Sequence, residues 1–350
     1  MSSSATADAA RSVDARTRSR TVPPATPSTP WILARAELPS GRRVAPGLPT
    51  TGIIEPVTST AARLPTFFIL GSGRSGTTSL ARALAAHPDV FIPTIKEPSF
   101  FASSFQWVKD PARYVDLYEP AAGMATAGDA SHVYLEDPES PRMLRAFFPD
   151  AKFVVVFRDP VDRALALYAY MVGNGYEWHR SFESAVAAEE RRFHSDRFRR
   201  TCRHSFWNYM YVRSGFYGSQ IERYLEYFDR NRFWFSTLDR LIASPGELLP
   251  DLHRFLGVEP LDVAEFPLDG TSKGVRSVAL QYVEQRVIRS LARRTGAPGE
   301  AARTRLNEWN KVKVKPAMQP ETRVELQQRF RPDLVLLREL TGVDLVSRWS

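Results

Sequence analysis

Two short apolar runs most constrain what this chain can fold into: the "FFIL" of "TFFIL" at 66–70 and the "FVVVF" of "KFVVVF" at 152–157. Each is strand-sized and is followed at once by a helical pattern, "GTTSLARALAAH" ending at His87-Pro88 and "DPVDRALALYAYM" after Arg158. Asp159 and Pro160 fit the N-cap and first position of that second helix. A third strand is read in "RFWFST" at 232–237, preceded by the amphipathic "GSQIERYLEYF". Strands without a polar face must be covered on both sides, so their alternation with helices predicts an α/β fold, a central parallel sheet flanked by helices. None of the apolar runs is long enough to cross a membrane. The segments "PGELLPDLHRFLGV", "SVALQYVEQRVIRSLA" and "ETRVELQQRFRPDLVLLREL" make the last third helical, and no internal repeat is apparent.

Residues 1–62 read differently. They are rich in Ser, Thr, Ala and Pro and cannot bury enough apolar surface to offset ordering entropy, so a disordered tail is expected, with one domain over 63–350. The tail lacks an apolar signal core. Its Arg/Ser-rich character is that of an organelle transit peptide, but without an amphipathic face, and a cytoplasmic protein is expected. The first 65 residues hold eight arginines and four acids, half of the chain's formal charge of +8. The remainder is only mildly basic and has no dense Lys/Arg run, which argues against a nucleic-acid partner. Cys202 is the single cysteine and the six histidines lack ligand spacing, so neither a disulfide framework nor a metal site is expected.

The chemistry-bearing stretch is Gly71-Ser72-Gly73-Arg74-Ser75-Gly76-Thr77-Thr78, between the first strand and its helix. Glycines let successive N–H groups turn inward, and the helix start adds its dipole. An ATP-binding loop would place lysine where Thr77 stands. Here the cation is Arg74, inside the loop. Arg158 falls at the C-terminal end of a buried strand, where open parallel sheets bind ligands. The alternatives are a ligand-free turn for the loop and surface salt-bridging with Asp159 and Asp162 for the arginines, the second being preferred for Arg163 but not for Arg158.

Together, "GSGRSGTTSL", "KEPSFF", "KFVVVFRDPVDRALALY", "FLGV" and the closing "FRPDLVLLRELTGVDLVSRW" resemble the sulfotransferase superfamily, especially its carbohydrate and tyrosyl-protein branches and their bacterial relatives. The resemblance covers nearly all of 66–349. It implies a P-loop NTPase-like three-layer fold and the donor 3′-phosphoadenosine 5′-phosphosulfate (PAPS), with 3′,5′-ADP as product. By motif match, Arg74, Ser75, Gly76, Thr77 and Thr78 would hold the 5′-phosphosulfate, Arg158 the 3′-phosphate, and Lys273 or Arg276 would lie near the nucleotide. Glu97 would be the general base and Lys96 a charge stabiliser. One phosphate with its sulfate needs neither the ATP-loop lysine nor magnesium.

The family's serine eight residues after the arginine is Ala166 here, with the family-like Tyr168 two residues on; Lys273 or Arg276 is expected to cover that gap. "ASHVY" matches at Ser131, while His132 replaces a proline. His87 reads as a structural residue at a helix end, and the aromatics of "GYEW" and "FWNYMYV" as core more than as acceptor stacking. The expected acceptor is a hydroxyl of a glycan, glycolipid or natural product. The rival readings are a non-catalytic member of the fold and a small-substrate kinase.

Overall fold

The computed structural model describes residues 64–95, 97–268, 274–295, 297–312 and 316–349. The expectations for residues 1–62, and for Lys96 and Lys273, lie outside these.

Among the described residues, five parallel strands form one sheet: β1 (Phe67–Leu70), β2 (Val90–Phe91), β3 (Thr126–Asp129), β4 (Lys152–Phe157) and β5 (Phe233–Thr237), in the order β2-β3-β1-β4-β5. The three strands read from sequence are β1, β4 and β5, each within a residue of its expected bounds. β3 is an addition. Its sequence, TAGD, has low strand propensity, yet all four residues are buried. Gly128 pairs with Phe67, and a Cβ at 128 would lie 2.2 Å from the Phe67 ring, so only glycine fits beneath that aromatic.

Alternation along the strands sorts the two layers. Phe67, Ile69, Val154 and Val156 point to one face, where Leu80 and Leu84 of α1 (Thr77–Ala85) share a core with Leu249 and Leu252 of the helix Pro245–Leu256. Phe68 and Phe153 point to the other, stacking at 6.0 Å and meeting Tyr134 and Tyr224 edge-on. These tyrosines belong to α2 (Val133–Glu136) and α4 (Tyr217–Leu225), with α3 (Pro160–Gly173) between them in chain order. A long helix, α5 (Pro320–Thr341), closes the fold; its Asp333 carboxylate accepts from the first amides of α4, Gly218 at 2.8 Å and Ser219 at 2.9 Å.

From β1 the chain crosses to β2 at the sheet edge and returns to β3 beside β1, whereas β4 and then β5 lie on the other side of β1. The order therefore reverses between β1 and β4, and the crevice beyond their C-terminal ends is where such sheets take ligands. The Gly71–Thr78 loop leaves one strand there and Arg158 the other.

Candidate active site

That crevice is a cavity of about 410 Å³ lined by Gly73, Arg74, Gly76, Thr77, Thr78, Glu97, His132, Arg158, Ala166, Tyr170, His204 and Asn208 among others. The loop, the KEPSFF stretch and the strand-end arginine, far apart in sequence, thus share one wall. The volume falls within the range of small-molecule sites.

Local folding positions each group. Gly76, at φ 92°, is the left-handed residue before α1, and the first amides of that helix lack intrahelical partners. Thr77 and Thr78 bring that positive end to the cavity. Among the described residues, the non-glycine residues with positive φ are Arg74 (76°), Glu97 (64°) and Ser99 (52°). All three belong to the loop or the KEPSFF stretch, and such backbone persists only where surroundings over-determine it. Arg158 donates to the Arg74 carbonyl at 3.2 Å, and the Arg74 guanidinium lies 5.5 Å from the centre of the Tyr170 ring.

Asp159 caps α3 as expected, accepting from the amides of Val161 and Asp162 at 2.9 Å each, and takes a further bond from the Trp349 indole. Arg163 corrects the expectation of a surface salt bridge. It is fully buried, donating to Ser214 Oγ at 3.0 Å and to the Tyr211 carbonyl, while Asp162 pairs instead with Arg323 at 2.7 Å. Ser72 in turn donates to the Ser214 carbonyl, so Arg163 buttresses the loop from beneath. Beside it, burial raises the Glu136 carboxyl above the usual range, opposed by the neighbouring His132 ring and Arg163 guanidinium; Glu136 Oε1 accepts from the Gly73 amide at 3.4 Å.

The turn carrying Glu97 hangs from β3. Ser99 N–H donates to Ser131 Oγ at 3.0 Å, and Ser131 donates to Asp129 at 2.6 Å. Tyr114 and Tyr134 also donate to Asp129, at 2.9 and 3.0 Å. Burial still dominates and pushes the Asp129 carboxyl up to about 6. Glu97 Oε2 lies 2.8 Å from His132 Nδ1.

Not every expected residue reaches the cavity. Ser75 is fully buried and its amide donates to the Ser72 carbonyl at 3.0 Å, so it shapes the turn from outside the lining. Arg276 is exposed on the hairpin β6 (Gly274–Val275) and β7 (Lys311–Val312), donating to the Trp309 carbonyl at 2.8 Å and lying over its ring. It does not cover the gap at Ala166. His87 accepts from the Asp89 amide and meets the Glu259 carbonyl at 2.8 Å, a structural role at the end of α1. Phe206, Tyr209 and Tyr211 are core, and Tyr168 is buried with its hydroxyl on the His179 carbonyl. Tyr170, His204 and Asn208 are lining residues that sequence reasoning passed over. Tyr170 was within reach, because it lies four residues after Ala166 on the same helix face. His204 and Asn208 sit in a bend and a 3-10 turn, where no periodicity marks them.

Fold and site together define an α/β protein with a glycine-rich strand-to-helix loop that carries Arg74 within it and Thr77 where an ATP-binding loop has its lysine. Residues 64–275 match the sulfotransferase domain family, and the chain belongs to it. It is 28% identical over 243 residues to mouse heparan sulfate glucosamine 3-O-sulfotransferase 6, covering 68% of this chain and 64% of that protein. It is also 26% identical over 220 residues to the Caenorhabditis briggsae bifunctional heparan sulfate N-deacetylase/N-sulfotransferase 1, covering 59% of this chain and 23% of that protein. The chain thus spans less than two thirds of the length of these curated relatives. The crystal structure of a sulfotransferase from Alicyclobacillus acidocaldarius superposes with a TM-score of 0.61 at 27% identity, covering 82% of this chain and 98% of that one.

Proposed function

We propose that the protein transfers the sulfuryl group of PAPS to a hydroxyl of a carbohydrate, lipid or small-molecule acceptor, with Glu97 as general base. The observation that carries this reading is the convergence of Arg74, Arg158, the start of α1 and Glu97 on one cavity. The donor set suits a substrate with two separated anionic ends. The α1 amides and Arg74 would hold the 5′-phosphosulfate, and Arg158, from the neighbouring strand, the 3′-phosphate. Glu97 would take the acceptor's proton as the oxygen attacks sulfur. Arg74 and the helix start would neutralise charge developing on the departing 5′-phosphate. Lys96 belongs to the same proposal as a second charge stabiliser.

The test is a labelled-PAPS screen against desulfated and N-sulfated heparan oligosaccharides, glycolipids and phenols, with calorimetry of 3′,5′-ADP binding alongside. Transfer to any hydroxyl acceptor supports the reading. Absence of 3′,5′-ADP binding overturns it. Tight nucleotide binding without transfer to any acceptor would favour a non-catalytic member, the reading that Ala166 in the cavity wall favours.

A further inference from the structure

We propose that His132 is the positioning residue of Glu97, holding its carboxylate through Nδ1 while Asn208 fixes the opposite ring nitrogen and sets the pair against the phosphate loop at Gly73. The inference rests on Glu97 being the general base. Its starting point is a chain of contacts across the cavity wall: Glu97 Oε2 to His132 Nδ1 at 2.8 Å, His132 Nε2 to Asn208 Oδ1 at 3.1 Å, and Asn208 Nδ2 to His204 Nδ1 at 2.9 Å.

The protons in this chain follow from its far end. His204 is packed among Phe105, Tyr170 and Tyr176, with ring centroids 4.6 to 6.2 Å away. Burial is the first cause that pushes its ring down to about 4, so at neutral pH it is uncharged and Nδ1 can accept. The Asn208 amide nitrogen is then committed to His204, and its oxygen faces His132. An oxygen at each side of the His132 ring, the amide and the Glu97 carboxylate, calls for an N–H on both nitrogens. His132 is accordingly an imidazolium, buried, with Glu97 before it and Glu136 behind; His204 lies beyond Asn208, and Arg163 beyond Glu136. Arg74 and Arg158 share the cavity.

Two consequences follow for the reaction. A glutamate side chain has three rotatable bonds, and fixing them costs entropy that the imidazolium contact offsets before acceptor arrives. A cation at this distance also favours the carboxylate form of Glu97, the form that accepts a proton. The arrangement explains Gly73 as well. A Cβ there would lie 2.9 Å from Asn208 Oδ1 and 3.5 Å from the His132 ring, so the middle of the phosphate loop packs directly on the group that orients the base.

The test uses the full chain. Nitrogen-15 histidine NMR of the wild type should show both His132 ring nitrogens protonated at neutral pH, with the titration midpoint falling in Glu97→Gln. An unmoved midpoint overturns the proposal, whatever the enzyme's activity. With PAPS and an acceptor from the screen, His132→Ala should lower kcat by about tenfold or more while 3′,5′-ADP affinity stays within about threefold. The acid limb of its kcat profile should move to higher pH. His132→Asn, which keeps a donor near the Nδ1 position, should recover most of the loss. Equal loss in both variants with an unmoved acid limb would show a merely structural histidine and overturn the proposal. Should His132→Ala fail to fold, Asn208→Ala is read in its place: a smaller loss with the same upward move of the acid limb is expected, and wild-type kinetics overturns it. If the wild type transfers to no acceptor, the functional reading fails, and the NMR arm alone decides the link between His132 and Glu97.

Discussion

Glu97 and Asp129 are neighbouring carboxylates in different surroundings, and the proposed mechanism asks different things of them. Glu97 is half-exposed to the cavity on left-handed backbone, whereas Asp129 is fully buried beneath the turn that carries it. Glu97→Gln keeps the shape and removes the base, so kcat should fall by about 10²–10⁴ with 3′,5′-ADP affinity nearly intact. Turnover within a few-fold of wild type would remove Glu97 from the mechanism. Asp129 predicts a stability effect instead. Its carboxyl titrates near 6 in the fold, mainly through burial, so between the ordinary aspartate range and that value the folded state holds the extra proton. Stability therefore falls as pH rises through this window, by about 3 kcal/mol for a shift of this size. Chemical denaturation at pH 4 and pH 7 checks it: the stability advantage of wild type over Asp129→Asn should shrink by most of that amount. A constant difference would mean that Asp129 does not titrate there.

At the level of elements, α3 joins the legible and the illegible parts of this protein. Its start was readable because Asp159-Pro160 is a cap followed by a residue that needs no N–H, and the strand before it because five consecutive residues, Phe153–Phe157, offer no polar face. Arg163 was misread through its acidic neighbours, although it lies four residues before Leu167 on the buried face of the helix. β3 was missed for a different reason: Gly128 answers to the ring of Phe67, and Asp129 to three hydroxyls, partners that lie on other segments. The His132–Asn208–His204 contacts are likewise assembled from distant pieces, beyond any local pattern. Ala166, by contrast, was legible as a gap, and of the two expected donors the structure removes Arg276, while Lys273 lies outside the described residues. Arg276 is held by Trp309, and among the described lining residues the arginines are Arg74 and Arg158. A serine at 166 would add one hydrogen bond to a charged phosphate, worth about 1 kcal/mol after water is displaced. Ala166→Ser should therefore tighten 3′,5′-ADP about three- to tenfold in calorimetry. Unchanged affinity would mean that the 3′-phosphate does not lie against this turn of α3.

Across the whole molecule, the cavity is held by segments from both ends of the described chain: the loop after β1, α3, and Trp349, whose indole reaches the cap of α3 at Asp159. A ligand that bridges the β1 loop and the β4 end should therefore stabilise the fold as a unit and raise its melting temperature. At one hundred times its Kd, any ligand bound only by the folded state adds about 2.7 kcal/mol. For a domain of this size that is a rise of roughly 5 °C. We expect this from 3′,5′-ADP, and a much smaller rise from ATP with Mg²⁺ at the same concentration, because the loop carries Thr77 in place of the lysine that grips a triphosphate. Arg158→Ala separates ligand binding from folding. The side chain is half-buried and its one described bond is to the Arg74 carbonyl, so the melting temperature without ligand should stay within about 2 °C of wild type, a loss under about 1 kcal/mol. The rise with 3′,5′-ADP at the same absolute concentration should fall by more than half, since one charge-assisted phosphate contact is gone. Differential scanning fluorimetry of both proteins with both nucleotides gives the answer. An ATP–Mg²⁺ shift equal to that of 3′,5′-ADP would make this cavity a triphosphate site, and an undiminished shift in Arg158→Ala would remove Arg158 from the nucleotide.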